Sequence, residues 1–599
     1  MKLLFRYFLI CGLLAHLTIF AVLLHFRSTG LTPHLYIQKG IGVLDRDSSP
    51  TRHIARAAGA LLLDSGLFID PIVEYPPDLT VELPQWRGVG ANALRTETAP
   101  RYTSLGEPVA TTEEGLWALR TPPAMRRVPI GSVADLKKAL ANARPGDAIT
   151  LMPGHYRLSE RLELKAGGTP DSPLLLRGEN IADTVLELED GGSLAVNGKY
   201  WNLSDLIVRG QCPNGPCPFL IDIGSPADRF TARNLFVSGL RTLLNVKKMP
   251  EATASGLIDG VTLVDARVST SALDWPQSAI REIAIPREAD KFSVVCAQKD
   301  ASPGCDTDSL AQAVKRLSNG GLLLMRTGRY QQAANLRTQD LHILAEPGAT
   351  LHSKSTAGKG ALVVNADVTI EGLACSHIKV NDGNGACVRQ QHGDVTLIGV
   401  HFHHAQMGIL TGHNGGNIRI LDSYFHDSGY DESGQLGHNI YVNSGTLEFI
   451  RSWSLAARNA GHELKSRAAQ TIIANSLLAS LNSRDSRLID APNAGILEVR
   501  SSVLGEGPRS ENQDLIGYGL ELKGGKQTHE TNTVKISGNT IYIDRPQGAQ
   551  LLNEKNATSI DITDNIIIGD ISGPQGNTYF HRREEAGSAA YPTLHPKTL

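Results

Sequence analysis

Along most of the chain the apolar positions recur in one short pattern. An apolar residue is followed three positions on by Asn, Ser or a small or apolar residue, and then, after one more variable position, by a second apolar residue. It reads Leu203…Leu206…Val208, Ile258…Val261…Leu263, Ile370…Leu373…Cys375, Leu397…Val400…Phe402 and Ile420…Ser423…Phe425. Further copies are Ile472…Asn475…Leu477, Val499…Ser502…Leu504, Ile536…Asn539…Ile541 and Ile562…Asn565…Ile567, with weaker ones at Asn234 and Ser452. Toward the C-terminus the centres return every 23 to 29 residues or so, with one longer gap, a period that marks solenoids. A unit of about 23 residues holds three short strands and their turns but hardly a helix pair. The expectation is therefore an all-β, right-handed parallel β-helix. Leucine-rich repeats would show tighter, more regular Leu spacing, and propeller blades would be longer. Equivalent residues of successive coils should stack about 4.8 Å apart. Asn475, Asn539 and Asn565 are placed to ladder their side-chain amides.

A second pattern appears twice. Ser132–Ala143 is amphipathic at helical spacing, with Ser132 and Asp135 placed as a capping box, and it leads into a run ending Gly-His-Tyr156. The same grammar returns at Ser309–Ser318, followed by a run ending Gly-Arg-Tyr330. Each helix is expected to cover an open sheet edge that could otherwise pair with another chain. Two β-helical segments follow, residues 128–285 and 286–580, with a tail at 581–599.

The N-terminus has another character. Lys2 and Arg6 precede a run from Tyr7 to Phe26 without Asp, Glu, Lys or Arg, long enough to cross a bilayer as a helix. No small-residue cleavage site closes it, so residues 1–27 read as a retained single-pass anchor, with a cleaved signal peptide as the alternative. Basic residues before the span place the N-terminus in the cytoplasm and everything after Arg27 outside it. The expected location is a bacterial inner membrane, with the β-helical body on the periplasmic side. Residues 28–127 are punctuated by proline and read as a spacer, with a short helix near Arg52–Leu63. Apart from Cys11, six cysteines fall in three close pairs, Cys212/Cys217, Cys296/Cys305 and Cys375/Cys387, which suits disulfides or buried thiols in an exported protein better than zinc. The net charge of −3 lacks the basic field of a general nucleic-acid binder.

The stretch Ala139–Glu179 resembles the opening of the chondroitinase-B-like, alginate-lyase-type polysaccharide lyases, which are right-handed parallel β-helices. Gly461–Ser466 (GHELKS) is similar to the part of that family that carries its catalytic lysine. The resemblance implies that Lys465 is a catalytic base and that the partner is an acidic, uronate-containing polysaccharide. Where the family has an arginine one coil later, this chain has Asp490, with Arg487 three positions away.

In the expected register Ile440, Leu464, Ile489 and Leu520 point inward. Side chains alternate along a strand, so their neighbours point out. The outward sets are Asn439, Tyr441 and Asn443, then Glu463, Lys465 and Arg467, then Asp490, then Glu521 and Lys523, with Arg389 possible as an earlier member of the column. β-Elimination needs a base at C5, an acid at O4 and a cation on the uronate carboxylate. Lys465 suits the base, Tyr441 or Arg467 the acid, and Asp490 an assisting group. Arg467, or Ca2+ held by Glu463, Asp490 and Glu521, suits the carboxylate. Asn439, Asn443, His438, His462, Arg487 and Arg389 complete a substrate-binding strip. The bland alternative is a salt-bridge ladder pairing Lys465 with Asp490. His401, His403 and His404 read as loop histidines, with a metal site as the sharper alternative. Asp422, His426, Asp427 and Asp431 read as a turn cluster. The function expected is lyase action on a uronate polymer. A C5-epimerase, a glycoside hydrolase using Asp490 and Glu521, and a non-catalytic polymer-binding or export scaffold remain alternatives.

Overall fold

The computed structural model describes Phe20, His25 and Tyr36 and residues 126–224, 227–246, 256–268, 277–298, 304–429, 436–522, 528–545, 549–571 and 573–587. The expected anchor, the spacer with its helix, Asp431 and Lys523 lie outside these residues. Among the described residues no helix is long and apolar enough to cross a membrane. Two compact units divide the β-region. One holds the residues up to Phe425 together with Ser444–Trp453; the other holds His426–Asn443 and Ser454–Tyr591.

The chain forms a right-handed parallel β-solenoid. Every described strand pair within the sheets is parallel, as expected when each coil returns to stack on the one before. In the larger unit the chain enters the sheets at Arg126–Ile130, two residues earlier than expected, paired in register with Asp147–Leu151. Strands from there to Ile283 pair only among themselves, in a nine-stranded and a four-stranded sheet. From Phe292 onward three different sheets begin. A buried apolar cluster of Ile207, Phe236, Val264, Leu322, Leu324 and others joins the two sets of strands. Beside it Arg209, itself buried, donates its Nε to Glu346 at 3.1 Å.

Both expected helices are present. Val133–Ala141 is capped by Ser132, whose Oγ accepts Asp135 N at 3.2 Å, and buries Leu136 and Leu140 in the core. Leu310–Arg316 is capped by Ser309. Tyr156 and Tyr330 make equivalent contacts after them. The hydroxyl of Tyr156 bonds the carbonyls of Ile130 and Met152, and that of Tyr330 bonds those of Val295 and Arg326.

The repeat pattern is the inward face. Ile370, Leu373 and Cys375 are buried, as are Leu397, Val400 and Phe402, and Val499, Ser502 and Leu504. Two copies were expected one residue out of place; in the weaker one Leu235, not Asn234, pairs with the centres Leu206 and Val261, and Asn234 is the left-handed bend. Ile473 pairs with Val499 and Leu478 with Leu504, so the inward set is Ile473…Ser476…Leu478, and Ile472 and Asn475 are only partly buried. The reason is the bend before the ladder position. At Arg451, Asn475, Ser501, Gly538 and Asp564 the backbone turns left-handed, with φ between 47° and 66°, which favours Gly, Asn and Asp. Asn475 serves the bend and Ser476 the ladder. The ladder runs through side chains that each accept the next lower backbone N–H. Ser502 Oγ accepts from Ser476 N, Asn539 Oδ1 from Ser502 N, Asn565 Oδ1 from Asn539 N and Asn577 Oδ1 from Asn565 N, at 2.9–3.1 Å. These bonds satisfy backbone donors where the chain leaves the sheet.

All three cysteine pairs are disulfides: Cys212–Cys217, Cys296–Cys305 and Cys375–Cys387.

Candidate active site

The strip lies wholly in the second unit, on strands Ile440–Val442, Leu464–Ser466, Ile489–Ala491 and Asp514–Tyr518. Ile440, Leu464, Ile489 and Ile516 stack inward, so Tyr441, Lys465 and Asp490 form one column, as expected. The fourth inward residue is Ile516 rather than Leu520. The column therefore continues at Gly517, not at Glu521. A side chain at Gly517 would meet Arg487 Cδ and Nε and Asp490 Oδ1, each at 3.0 Å. Its absence leaves room for Arg487, whose Nε pairs with Asp514 and whose Nη1 comes to 4.0 Å from Asp490 Oδ1. Arg487 thus occupies the place next to Asp490 without being in register with it.

Glu521 reaches the strip from the connection after Tyr518. Lys465 Nζ donates to Asp490 Oδ2 at 2.7 Å and to Glu521 Oε1 at 2.9 Å. Arg467 donates its Nη2 to Glu521 Oε2 at 2.5 Å, its Nη1 to Asn493 Oδ1 at 2.6 Å and its Nε to the Tyr441 hydroxyl at 3.1 Å. Because Tyr441 Oη accepts that bond, its own proton remains to be donated elsewhere. The Lys465 ammonium lies 5.8 Å from the centre of the Tyr441 ring. Burial pushes the Glu521 carboxyl up, but its bonds to Lys465 and Arg467 hold it below the ordinary carboxylate range. Burial likewise works against the Arg467 charge, and the bonds to Tyr441 and Glu521 outweigh it. Lys465, Arg467 and Arg487 face Asp490, Glu521 and Asp514, so the strip is close to charge-neutral.

Several expected site residues point elsewhere. Asn439 and Glu463 were expected to face solvent, yet neither has exposed surface. Asn439 Nδ2 donates to Glu463 Oε2 at 2.7 Å, while Glu463 Oε1 accepts Ala457 N at 2.8 Å. Both lie where the strand begins, just past a bend, and strict alternation does not hold there. The expected Ca2+ set fails for the same reason: Glu463 is turned into the interior, while Asp490 and Glu521 are held by Lys465. His438 and His462 are buried as well, with rings stacked 5.0 Å apart and 3° from parallel. His438 Nδ1 accepts His462 N and His462 Nδ1 accepts Arg487 N, which leaves the proton of each neutral ring on Nε2. Burial, with nearby cations, drives both imidazoles well below their usual range. The His462 Nε2 lies 3.4 Å from Asp490 Oδ2, so His462 supports Asp490 and neither histidine can touch a polymer. Asn443 is half-buried just past Val442. Arg389 belongs to the other unit, between Val363 and Leu410 on the adjacent strands. Asn493, Gly517 and Asp514 were not anticipated. A lone Gly at coil spacing in a charged column was the available signal for Gly517.

Interior to the same unit, Asp485 and Glu506 are fully buried. Asp485 Oδ2 accepts Ser480 Oγ at 2.7 Å, while Asp485 Oδ1 and both Glu506 oxygens have no hydrogen-bond partner. Burial pushes Asp485 up to about 7 and Glu506 well above the carboxylate range; the charge of Asp485 adds to the push on Glu506, and Arg545 opposes both shifts.

Two further clusters lie outside the strip. His401 and His403 sit on a strand rather than a loop, with stacked rings; His401 also stacks on Tyr424, and His403 Nδ1 lies 2.9 Å from His404 Nδ1. Asp422 is bound by both Arg451 Nε and Nη2, at 2.8 and 2.9 Å. In the other unit Asp427 is held by His426 at 2.7 Å and Arg458 at 2.8 Å. Asp422 and the His426–Asp427 pair thus have separate arginine partners.

No family model and no curated protein matches the chain. Solved structures do. A PL6-family polysaccharide lyase from Pseudopedobacter saltans is 11% identical, covering 75% of this chain and 94% of its own, at TM-score 0.22. An alginate lyase from Paenibacillus sp. str. FPU-7 is 16% identical, over 50% and 95%, at TM-score 0.19. A mannuronan C-5 epimerase module from Azotobacter vinelandii is 10% identical, over 73% and 93%, at TM-score 0.16. Polysaccharide lyases of family PL6 recur among the structural neighbours. At TM-scores this low none of them bears on the chemistry of this chain.

Proposed function

We propose that this protein binds and modifies a uronate-containing polysaccharide, by β-elimination at the Tyr441–Lys465–Arg467 strip. The observation that carries the reading is the convergence, from adjacent coils, of an ammonium, a guanidinium and a phenol whose proton is uncommitted. In the neutral form Lys465 takes the proton from C5 of the uronate. The C5–H electron pair becomes the C4–C5 double bond as the C4–O4 bond breaks, and O4 takes the proton of Tyr441. Arg467 faces the carboxylate and stabilises the charge that builds on it. Tyr441 is preferred to Arg467 as the acid because all three arms of the Arg467 guanidinium are already donating. A hydrolase built on Asp490 and Glu521 is disfavoured because one ammonium holds both carboxylates.

The same proposal places the β-helical body outside the cytoplasm, tethered to the bilayer by residues 1–27. Three disulfides favour an oxidising compartment. The test incubates the full chain with alginate, chondroitin and dermatan sulfates and pectate, with and without Ca2+. Ultraviolet absorbance of new unsaturated ends is the readout. Absorbance that grows with the native chain and is absent with Lys465→Ala is the expected result. Binding without absorbance on any polymer would overturn β-elimination in favour of epimerisation or scaffolding.

A further inference from the structure

Glu521 departs from the rest of the strip. Tyr441, Lys465, Arg467 and Asp490 come from strands or their immediate ends, whereas Glu521 comes from the connection after Tyr518. Its carboxylate bridges two cations, one oxygen to the Lys465 ammonium and the other to the Arg467 guanidinium. Its side chain is 48% exposed, against 9% for Lys465 and 4% for Asp490. Asp490 has further support from His462 and Arg487 and keeps its bond to Lys465 whatever Glu521 does. The Glu521 backbone is tied through its N–H to Pro492 O, so the side chain can swing away while the main chain stays fixed.

From this geometry we infer that Glu521 is an internal stand-in for a ligand carboxylate, and that a uronate docks in the seat between the Lys465 ammonium and Arg467 by displacing it; Lys465 acts as the base only after passing its proton to Asp490, when Arg467 alone holds the carboxylate. The inference rests on the proposed function only for the identity of the ligand as a uronate. A planar carboxylate offers two oxygens at a fixed separation, and the seat already accommodates one in that bridging mode. Neutral sugars cannot compete for it, since they would leave two cations facing a displaced Glu521 without replacement. The seat therefore selects an acidic ligand, and Glu521 lowers the apparent affinity by keeping the seat filled until a ligand arrives.

The test uses the full chain with native Glu521, Glu521→Ala and Glu521→Gln. Lys465 is followed by mass spectrometry after reductive methylation, with sodium glucuronate as the competing carboxylate and glucose as the neutral control. Methylation of Lys465 is expected to be faster in both variants. Glucuronate, but not glucose, should protect it at concentrations on the order of tenfold lower than in the native chain. Protection at the same concentration in all three proteins, or in none, would overturn the inference. If protection shifts as expected while no polymer gains unsaturated ends, the carboxylate seat stands and β-elimination falls. If polymers are cleaved and protection does not shift, the reverse holds.

Discussion

Two fully buried sets of carboxylates, one in each compact unit, show how differently the same solenoid treats the same group. Glu346 has no exposed surface, but Arg209 and Arg326 donate to it and Thr327 N binds Oε2 at 2.9 Å. Burial alone would push it up, yet the two arginines bring it down to about 2. Asp485 and Glu506 are buried equally deeply. The cation that opposes this, Arg545, donates its Nη1 to the carbonyls of Ser510 and Asn512. Burial wins there, and both acids are pushed toward the neutral form. The outcome is set by whether a cation donates to the carboxylate itself, not by depth. A paired carboxylate ties two sets of strands together, and an unpaired one is a standing cost.

The sharpest way to break this contrast is to remove one acid from each set. Glu346→Ala takes from buried Arg209 the carboxylate it donates to, leaving only Glu187 at 3.9 Å, and should cost about 3–5 kcal/mol, read as a lower urea midpoint. Glu506→Met, which removes two unpartnered oxygens at similar volume, should be neutral or stabilising in the same assay. A large loss at Glu506 would mean that its carboxylate is held by a partner after all.

Next in size is the dependence on pH. Glu346 titrates near 2 when folded and near 4.5 when free, so its contribution is present above about 4.5 and is lost as pH falls toward 2. Asp485 titrates near 7 when folded and near 3.8 when free. The folded state then holds the extra proton, and stability falls as pH rises from about 4 to about 7, by roughly 4 kcal/mol, and levels off above. Burial also pushes Glu463 and Glu506 well above the carboxylate range, and Arg545 opposes the shifts of Asp485 and Glu506. Melting temperature against pH should show both limbs, and Asp485→Asn should flatten only the upper one. The smallest effect expected is at the ladder. Asn539→Ala removes the acceptor of Ser502 N and the bond from Nδ2 to Val499 O, and should cost about 1–3 kcal/mol in thermal unfolding.

Most of the architecture could be read from the sequence because one physical rule repeats in it. Inward residues must be apolar at fixed spacing, and the two helix–strand openings share Ser caps and Gly-x-Tyr ends. The two misplaced copies, Ile472 for Ile473 and Asn234 for Leu235, arose where Asn475 and Asn234 could have served either the left-handed bend or the ladder. The site was legible only in part. Register along strands placed Tyr441, Lys465 and Asp490 correctly. It misplaced Asn439 and Glu463, which lie at strand beginnings where alternation has not yet set in. Long side chains escaped it too. Arg487 folds over Gly517 to reach Asp490, and Glu521 reaches Lys465 from outside the column; neither reach is encoded in spacing.

The ladder carries one more consequence. Asn539 follows Ser502 by 37 residues, whereas Ser502 follows Ser476 by 26 and Asn565 follows Asn539 by 26, yet the rungs bond alike. The surplus chain lies between Tyr518 and Thr533, where other coils cross in a few residues, as from Ser466 to Gln470. Glu521 is part of that surplus. An insertion of this kind leaves the coil stack undisturbed, so evolution or an engineer can lengthen, shorten or rewrite it without renegotiating the scaffold. What occupies the place between Lys465 and Arg467 is thus an adjustable part, fitted onto a frame that does not depend on it.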